Sequence, residues 1–303
     1  MAFDPGLVHT PLTPFAADGR IDLARFGTLI DFHLRHGAQA LAVQMHCGES
    51  VSLTDPERRT LIAAAVERCV GRVPIIAHVS DAGTGIAAAL AREAQKAGAA
   101  AIVATTPYYW TPPPAMILEH FLQIGSAVEL PFYVLNAPDD MAGSRINVDL
   151  ALKLIDKLPN FAGVVDAGLD WQFMIELITD APRRRADFKL ISGSELMVSA
   201  AAIGASGMFG ALAVIAPKLT GELFALCRQQ KLFEARAAQE AVAALRQIIK
   251  TGGVAALKAA ARSMGRDCGA PRSPLLPLDS AAERKLAAAL ASIPALAAEP
   301  RGW

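Results

Sequence analysis

Short, continuously apolar runs recur along the chain at positions 7–11, 39–46, 73–79, 99–106, 131–136, 162–166, 188–193 and 206–211. Continuous rather than alternating apolar character predicts strands buried on both faces, as in a parallel sheet. Between them lie longer alanine- and leucine-rich stretches with helical patterning, among them 23–36, 55–70, 85–97 and 149–158. The run Thr54-Asp55-Pro56-Glu57 sets a capping threonine, a first-turn proline and two acids at one helix start. The stretch at 86–98 ends on Gly98, which suits a left-handed cap. Eight strands alternating with helices over about 220 residues predict an α/β fold, a (β/α)8 TIM barrel. An open doubly wound sheet is the alternative, but no G-x-G-x-x-G follows the first strand.

After the eighth strand the pattern turns entirely helical, with candidates at 220–229, 232–250, 254–264 and 280–292. The expected organisation is therefore a barrel over 1–220 and a C-terminal helical extension over 221–303, packed on the barrel. Prolines between Pro271 and Pro277 break the helical region. The end, 294–303, is expected to be poorly ordered.

Twenty-nine acidic and 29 basic side chains give a formal charge of zero, which offers no footprint for nucleic acid. No apolar run reaches the roughly 18 residues of a membrane span, and the first residues do not read as a secretion signal. Four cysteines without CxxC spacing suit a reduced, cytoplasmic protein. The longest basic run, Arg183-Arg184-Arg185, is expected in a solvated loop.

Several segments then fall into one order: Thr13-Pro14-Phe15 before Asp18-Gly19-Arg20-Ile21-Asp22; Gly48-Glu49-Ser50 with Leu53-Thr54 and Glu57; Thr106-Pro107-Tyr108-Tyr109 before Glu119-His120-Phe121; Leu130-Pro131; Asn136-Ala137-Pro138; and Ile191-Ser192-Gly193. Together they resemble the dihydrodipicolinate synthase and N-acetylneuraminate lyase family over 6–290. The resemblance implies a class I aldolase-like barrel with C-terminal helices, a homo-oligomer built from dimers, and a lyase working on a small oxo acid through a lysine imine.

The family's chemical positions differ here. Its strand-six lysine, in a G-[IV]-K-[ED] run, corresponds to Val165 of Gly163-Val164-Val165-Asp166. Its strand-five tyrosine corresponds to Leu135, and the two threonines that help hold the oxo acid's carboxylate correspond to His46 and Cys47. The arginine after YNVP has no clear match in Asp139-Asp140-Met141. Tyr109 is kept; in relatives one of this tyrosine pair reaches across a dimer. None of the nine lysines is expected to replace the missing nucleophile. Seven lie on predicted helices, Lys189 starts strand seven at the bottom of the barrel, and Lys218 opens a helix. Tyr133 shares a strand face with Leu135 but lies deeper.

Barrel active sites form at the C-terminal ends of strands. Those ends bring Thr10, Thr13, His46, Cys47, His78, Tyr109, Asn136, Asp166, Ser192 and Glu195 toward one mouth. Tyr109, His46, His78 and Asp166 are the expected catalytic residues, with Cys47, Gly48, Glu49, Asn136 and Ser192 binding substrate. Each also has a plain structural reading: His78 as a cap for the 80–83 loop, Asp166 as a cap for its own turn, Cys47 as a buried small hydrophobe. The favoured function is a lyase or hydratase acting on a small carboxylate or oxo acid without a Schiff base, with no cofactor. In it a histidine moves the proton, and Tyr109 and Asn136 stabilise developing oxygen charge. Activity as a dihydrodipicolinate synthase is expected to be low. The alternatives are a non-catalytic acid-binding or assembly protein, and a metal-assisted lyase or hydrolase using His46, His78 and Asp166.

Overall fold

A computed structural model describes residues 4–137 and 143–303. Eight parallel strands close into a barrel in sequence order: β1 (Leu7–His9), β2 (Ala40–Val43), β3 (Ile75–His78), β4 (Ala101–Thr105), β5 (Phe132–Asn136), β6 (Phe161–Asp166), β7 (Lys189–Ser192) and β8 (Gly207–Gly210). β1 pairs with both β2 and β8, so no sheet edge is left. The (β/α)8 barrel expected from the apolar runs is therefore the observed fold. All eight runs become strands, most of them shorter than the run because its ends pass into rim loops.

The helices around the barrel are α1 (Leu23–Arg35), α2 (Asp55–Cys69), α3 (Thr84–Lys96), α4 (Pro114–Ser126), α5 (Val148–Lys157), α6 (Trp171–Arg184), α7 (Met197–Ala202) and α8 (Pro217–Arg228). The capping signal at α2 works as a reciprocal box: Thr54 Oγ1 accepts from the Glu57 N–H, and the Thr54 N–H donates to Glu57 Oε2. Strand residues alternate between barrel interior and helix layer. Outward-facing Phe132 and Phe161 stack between Phe121 and Phe188 with centroids 5.6–6.1 Å apart, sealing the sheet against its helices. The register sets Leu135 beside Val165 and Val165 beside Ile191, so these three share the other face.

The C-terminal region folds as α9 (Ala235–Lys250), α10 (Gly253–Ser263), α11 (Ser280–Ala291) and a final 3-10 turn, Pro294–Ala298. α9 packs on α7 and α8, and α10 reaches the 3-10 turn His46–Gly48 after β2. The expected boundary at 220 falls inside α8, the eighth helix of the barrel. No helix among the described residues is long and apolar enough to cross a membrane.

Two local expectations are corrected. Arg183 and Arg184 lie in the last turn of α6, where cations complement the helix's negative end. Arg185, which follows, donates to the carbonyls of Ile155, Pro159 and Phe161 instead of facing solvent. The C-terminal end is pinned, not loose. Glu299 accepts from the Lys218 and Leu219 N–H groups that open α8. Arg266 donates to the Pro300 and Gly302 carbonyls, and Gly302 N–H to Met264. These long-range bonds satisfy groups that local sequence leaves open.

Candidate functional site

At the C-terminal ends of the strands lies a cavity of about 150 Å3. Its wall takes Thr10 from the end of β1, Met45, His46 and Cys47 from the turn after β2, and Leu135 and Ala137 from β5 and its end. Ala167, Gly193, Ser194, Glu195, Phe209 and Ala211 continue it around β6 to β8, and Arg246 enters from α9. Leu135 lines this space, so Val165, on the same strand face and fully buried, belongs to the apolar packing beneath it. Among the described residues no lysine lines the cavity.

Of the nine residues expected at the site, His46 and Cys47 line the cavity. His46 is exposed there on its short 3-10 turn. Cys47 is buried, and its thiol lies 3.4 Å from the Thr10 carbonyl and 3.3 Å from Thr10 Oγ1. Burial pushes that thiol up to about 11, so it stands as a neutral SH and not as a nucleophilic thiolate.

His78 does not share the mouth with His46; the expectation of two imidazoles opening into one cavity is corrected. His78 is 3% exposed, and its Nε2 shares a 2.7 Å hydrogen bond with Ser80 Oγ, which also accepts from the Thr105 N–H. Burial, with the nearby Arg58 cation, lowers its pKa to about 3. Arg58 itself donates to the carbonyls of His78 and Ser80, locking the end of β3. The imidazole is a neutral anchor for the loop that follows, because burial makes its charged form costly.

Asn136 and Asp166 are brought together, but with each other. Asn136 Nδ2 donates to Asp166 Oδ1 at 2.6 Å, and Asp166 Oδ2 accepts from the Leu169 N–H at 3.1 Å. Both side chains are buried and neither lines the cavity. Burial raises the Asp166 pKa, and the Asn136 hydrogen bond opposes the rise. Gly193 is required beside them: a Cβ there would come 2.8 Å from the Asp166 carbonyl carbon and from Ala167. Ser192 Oγ donates to the Ser194 carbonyl, which shapes the β7 loop without facing the cavity.

Glu49 and Gly48 also turn away. Glu49, in a left-handed conformation at φ 57°, points its carboxylate under the C-terminal helices. Oε1 pairs with the buried Lys258 ammonium at 2.6 Å, and Oε2 accepts the Arg272 N–H at 2.7 Å. The Arg272 side chain extends the cluster to both oxygens of Glu57, to the Gly19 and Ser52 carbonyls and to the Phe15 ring. The Gly48 carbonyl accepts from Thr13 Oγ1. Tyr109 lies outside the cavity, 95% exposed and in a left-handed backbone conformation at φ 85°.

His46, His78 and Asp166 do not converge as the metal-assisted reading requires. Among the described residues no group of three or more His, Cys, Asp or Glu side chains stands close enough to hold a metal ion. All four cysteines are free and buried.

Arg246 escaped the sequence reading. Its Nη1 donates to Glu195 Oε2 at 2.5 Å, and Glu195 Oε1 accepts the Leu212 N–H at 2.9 Å. The available signal was weak: Gln239 and Arg246 lie two helical turns apart, each one residue beyond a buried position of α9, Ala238 and Leu245.

A profile of the dihydrodipicolinate synthetase family matches residues 4–293. The chain is 34% identical over 275 residues to a 4-hydroxy-tetrahydrodipicolinate synthase of Azoarcus sp. (strain BH72), covering 90% of this chain and 92% of that protein. The crystal structure of dihydrodipicolinate synthase DapA-2 from Bacillus anthracis is 27% identical with a TM-score of 0.91, over 97% of this chain and all of that one. YagE of E. coli K12, described in complex with pyruvate, shares the fold at 24% identity and a TM-score of 0.89, covering 95% and 98%.

Proposed function

This chain belongs to the dihydrodipicolinate synthetase family, and we propose that it is a member that acts on a small oxo acid or related carbonyl compound without forming a Schiff base. The observation that carries this reading is the composition of the mouth. Among the described residues no lysine lines it; Val165 is buried in apolar packing, and Lys258, the one buried lysine among them, is paired with Glu49 away from the cavity. An imine needs a neutral amine within reach of the carbonyl carbon, and nothing lining this cavity supplies one.

In this reading His46 is the proton carrier, since it is the imidazole that lines the cavity. It removes or returns a proton beside the substrate carbonyl, in a lyase or hydratase reaction. Cys47 and Thr10 form a neutral, hydrogen-bonded wall. Asn136 and Asp166 hold the ends of β5 and β6 in place instead of touching substrate. Tyr109 takes part as a side chain offered to a second copy of the chain, in keeping with its exposure and with the homo-oligomer that the resemblance implies. A small ligand is in keeping with a cavity of about 150 Å3.

Incubation with pyruvate and borohydride, read by intact mass, tests the central claim. The expected result is an unchanged mass; a trapped pyruvyl adduct would sink it. Condensation of pyruvate with aspartate semialdehyde is expected to be low or absent. A reading as a non-catalytic acid-binding protein predicts that His46→Ala leaves every measured turnover unchanged. Abolished turnover in that variant supports catalysis.

A further inference from the structure

We infer that Arg246, steered by Glu195, is the anion-binding residue of the mouth, so that the ligand is a small carboxylate gripped from the C-terminal helical region. The inference rests on the site assigned above and adds the residue that recognises the carboxylate of its ligand. Arg246 belongs to α9, outside the strands and strand-end loops that form the rest of the wall, yet its side chain lines the cavity. Its side chain is 35% exposed while that of Glu195 is 2% exposed, so the pair runs from the protein interior out into the opening.

Docking of α9 does not require this arginine. Gln239, two turns earlier, already ties the helix to the same loop: its Nε2 donates to the Glu195 carbonyl at 2.9 Å, and its Oε1 accepts the Val198 N–H at 3.0 Å. Arg246 has a different partner pattern. A guanidinium carries five N–H donors in a planar fork, and among the described residues Arg246 bonds only through Nη1 to Glu195. The remaining donors are free to meet a ligand. Both Glu195 oxygens are engaged, one by Arg246 and one by the Leu212 N–H, so the carboxylate acts as a fixed brace for the guanidinium plane. A planar fork held by a buried brace suits a carboxylate, which it can bind through two parallel hydrogen bonds.

The rest of the cavity agrees with that assignment. Met45, Leu135, Ala137 and Phe209 supply an apolar wall, which repels charge and receives the carbon end of a ligand. Among the described residues Glu195 is the only carboxylate that lines the cavity, and it is paired with Arg246. A volume near 150 Å3 favours small acids. Acetate, pyruvate and acids of similar size fit this combination of one cationic fork and one short apolar wall.

The test compares charged and uncharged probes by calorimetric titration of the full chain with acetate, pyruvate and methyl pyruvate. Wild-type protein is expected to bind pyruvate and at least tenfold more weakly its methyl ester. Arg246→Gln should weaken pyruvate binding by about tenfold to a hundredfold, the loss of a charge-assisted hydrogen-bond pair, and leave methyl pyruvate binding unchanged. Because Arg246→Gln leaves the buried Glu195 without its cation, the double variant Glu195→Gln/Arg246→Gln is measured alongside it and should lose pyruvate equally. Retention of wild-type pyruvate affinity in either variant overturns the inference, as does failure of the wild type to bind either carboxylate. The borohydride experiment separates this inference from the reading it rests on. An adduct with the Arg246 dependence intact removes the imine-free chemistry and keeps the clamp. No adduct with no Arg246 dependence does the reverse.

Discussion

The rim of the barrel is held in two different ways. On the β5–β6 side, Asp166 is buried against neutral donors, Asn136 and the Leu169 N–H, all close by in the barrel itself. On the β2 and β7 sides, Glu49 and Glu195 are buried against cations from the C-terminal helical region, Lys258 and Arg246. All three carboxylates sit at or just beyond strand ends. Among the described residues the neutral side is chemically quiet, because both Asp166 oxygens meet donors from their own neighbourhood. The ionic side needs a second structural layer to be complete, and that layer brings a cation to the cavity. The C-terminal region is thus part of the site as well as a cover for the barrel.

Breaking the ionic side should cost most. Lys258→Met leaves Glu49 buried with its ammonium partner gone, and urea unfolding should show a loss of about 3–5 kcal/mol. A smaller loss would mean that water replaces the ammonium and that the cluster contributes little. On the neutral side, Asp166→Asn keeps the acceptor for Asn136 and sacrifices the bond from the Leu169 N–H. The expected cost is about 1 kcal/mol in the same measurement. A cost as large as that of Lys258→Met would erase the contrast between the two sides.

The two sides should also respond to pH with opposite sign. Burial raises the pKa of Asp166, so the folded state holds its proton more tightly than the unfolded state does. That contribution is fully present below the unfolded pKa and is lost as pH rises through the folded one. Glu57 lies beside the ionic cluster, and its hydrogen bonds from Arg272 hold it down at about 2. Its contribution is present above the ordinary carboxylate pKa of 4.5 and is lost as pH falls toward 2. Stability measured from pH 2 to 6 should therefore change slope in opposite senses in Asp166→Asn and Arg272→Gln. Matching slope changes would show that neither group carries the dependence. The smallest effect is expected at Tyr109, outside both layers. Tyr109→Gly removes an exposed ring and relieves a left-handed non-glycine backbone, and should alter the stability of the single chain, measured at a concentration too low for association, by no more than about 0.5 kcal/mol in either direction.

Much of the fold was legible residue by residue. The apolar runs at 39–46 and 99–106 could be read as strands because burial on both faces leaves a local trace, and the Thr54–Glu57 box marks a helix start within four residues. The candidate site was legible only in part. His46 and Cys47 line the cavity because they lie on the short turn just beyond the end of β2. His78 and Asp166 also end strands, but whether a strand-end side chain opens into the cavity or folds back depends on what meets it. For His78 that is Ser80 and the nearby Arg58, and for Asp166 it is Asn136 from the neighbouring strand. Arg246 was missed because its partner lies 51 residues away and the helical pattern around it reads as an ordinary amphipathic helix.

The sequence by itself determined the barrel, its order of strands and the family frame. Periodicity and capping are local properties, and the chain carries them whatever surrounds it. Only the tertiary structure decided which polar groups remain available for chemistry. That choice depends on partners distant in sequence: Arg272, 223 residues from Glu49, occupies one oxygen of a loop acid expected to bind substrate, and α9 supplies Arg246 to a cavity that no other lysine or arginine among the described residues lines. A buried charge is silent or active according to the group that meets it, and long-range packing sets that meeting.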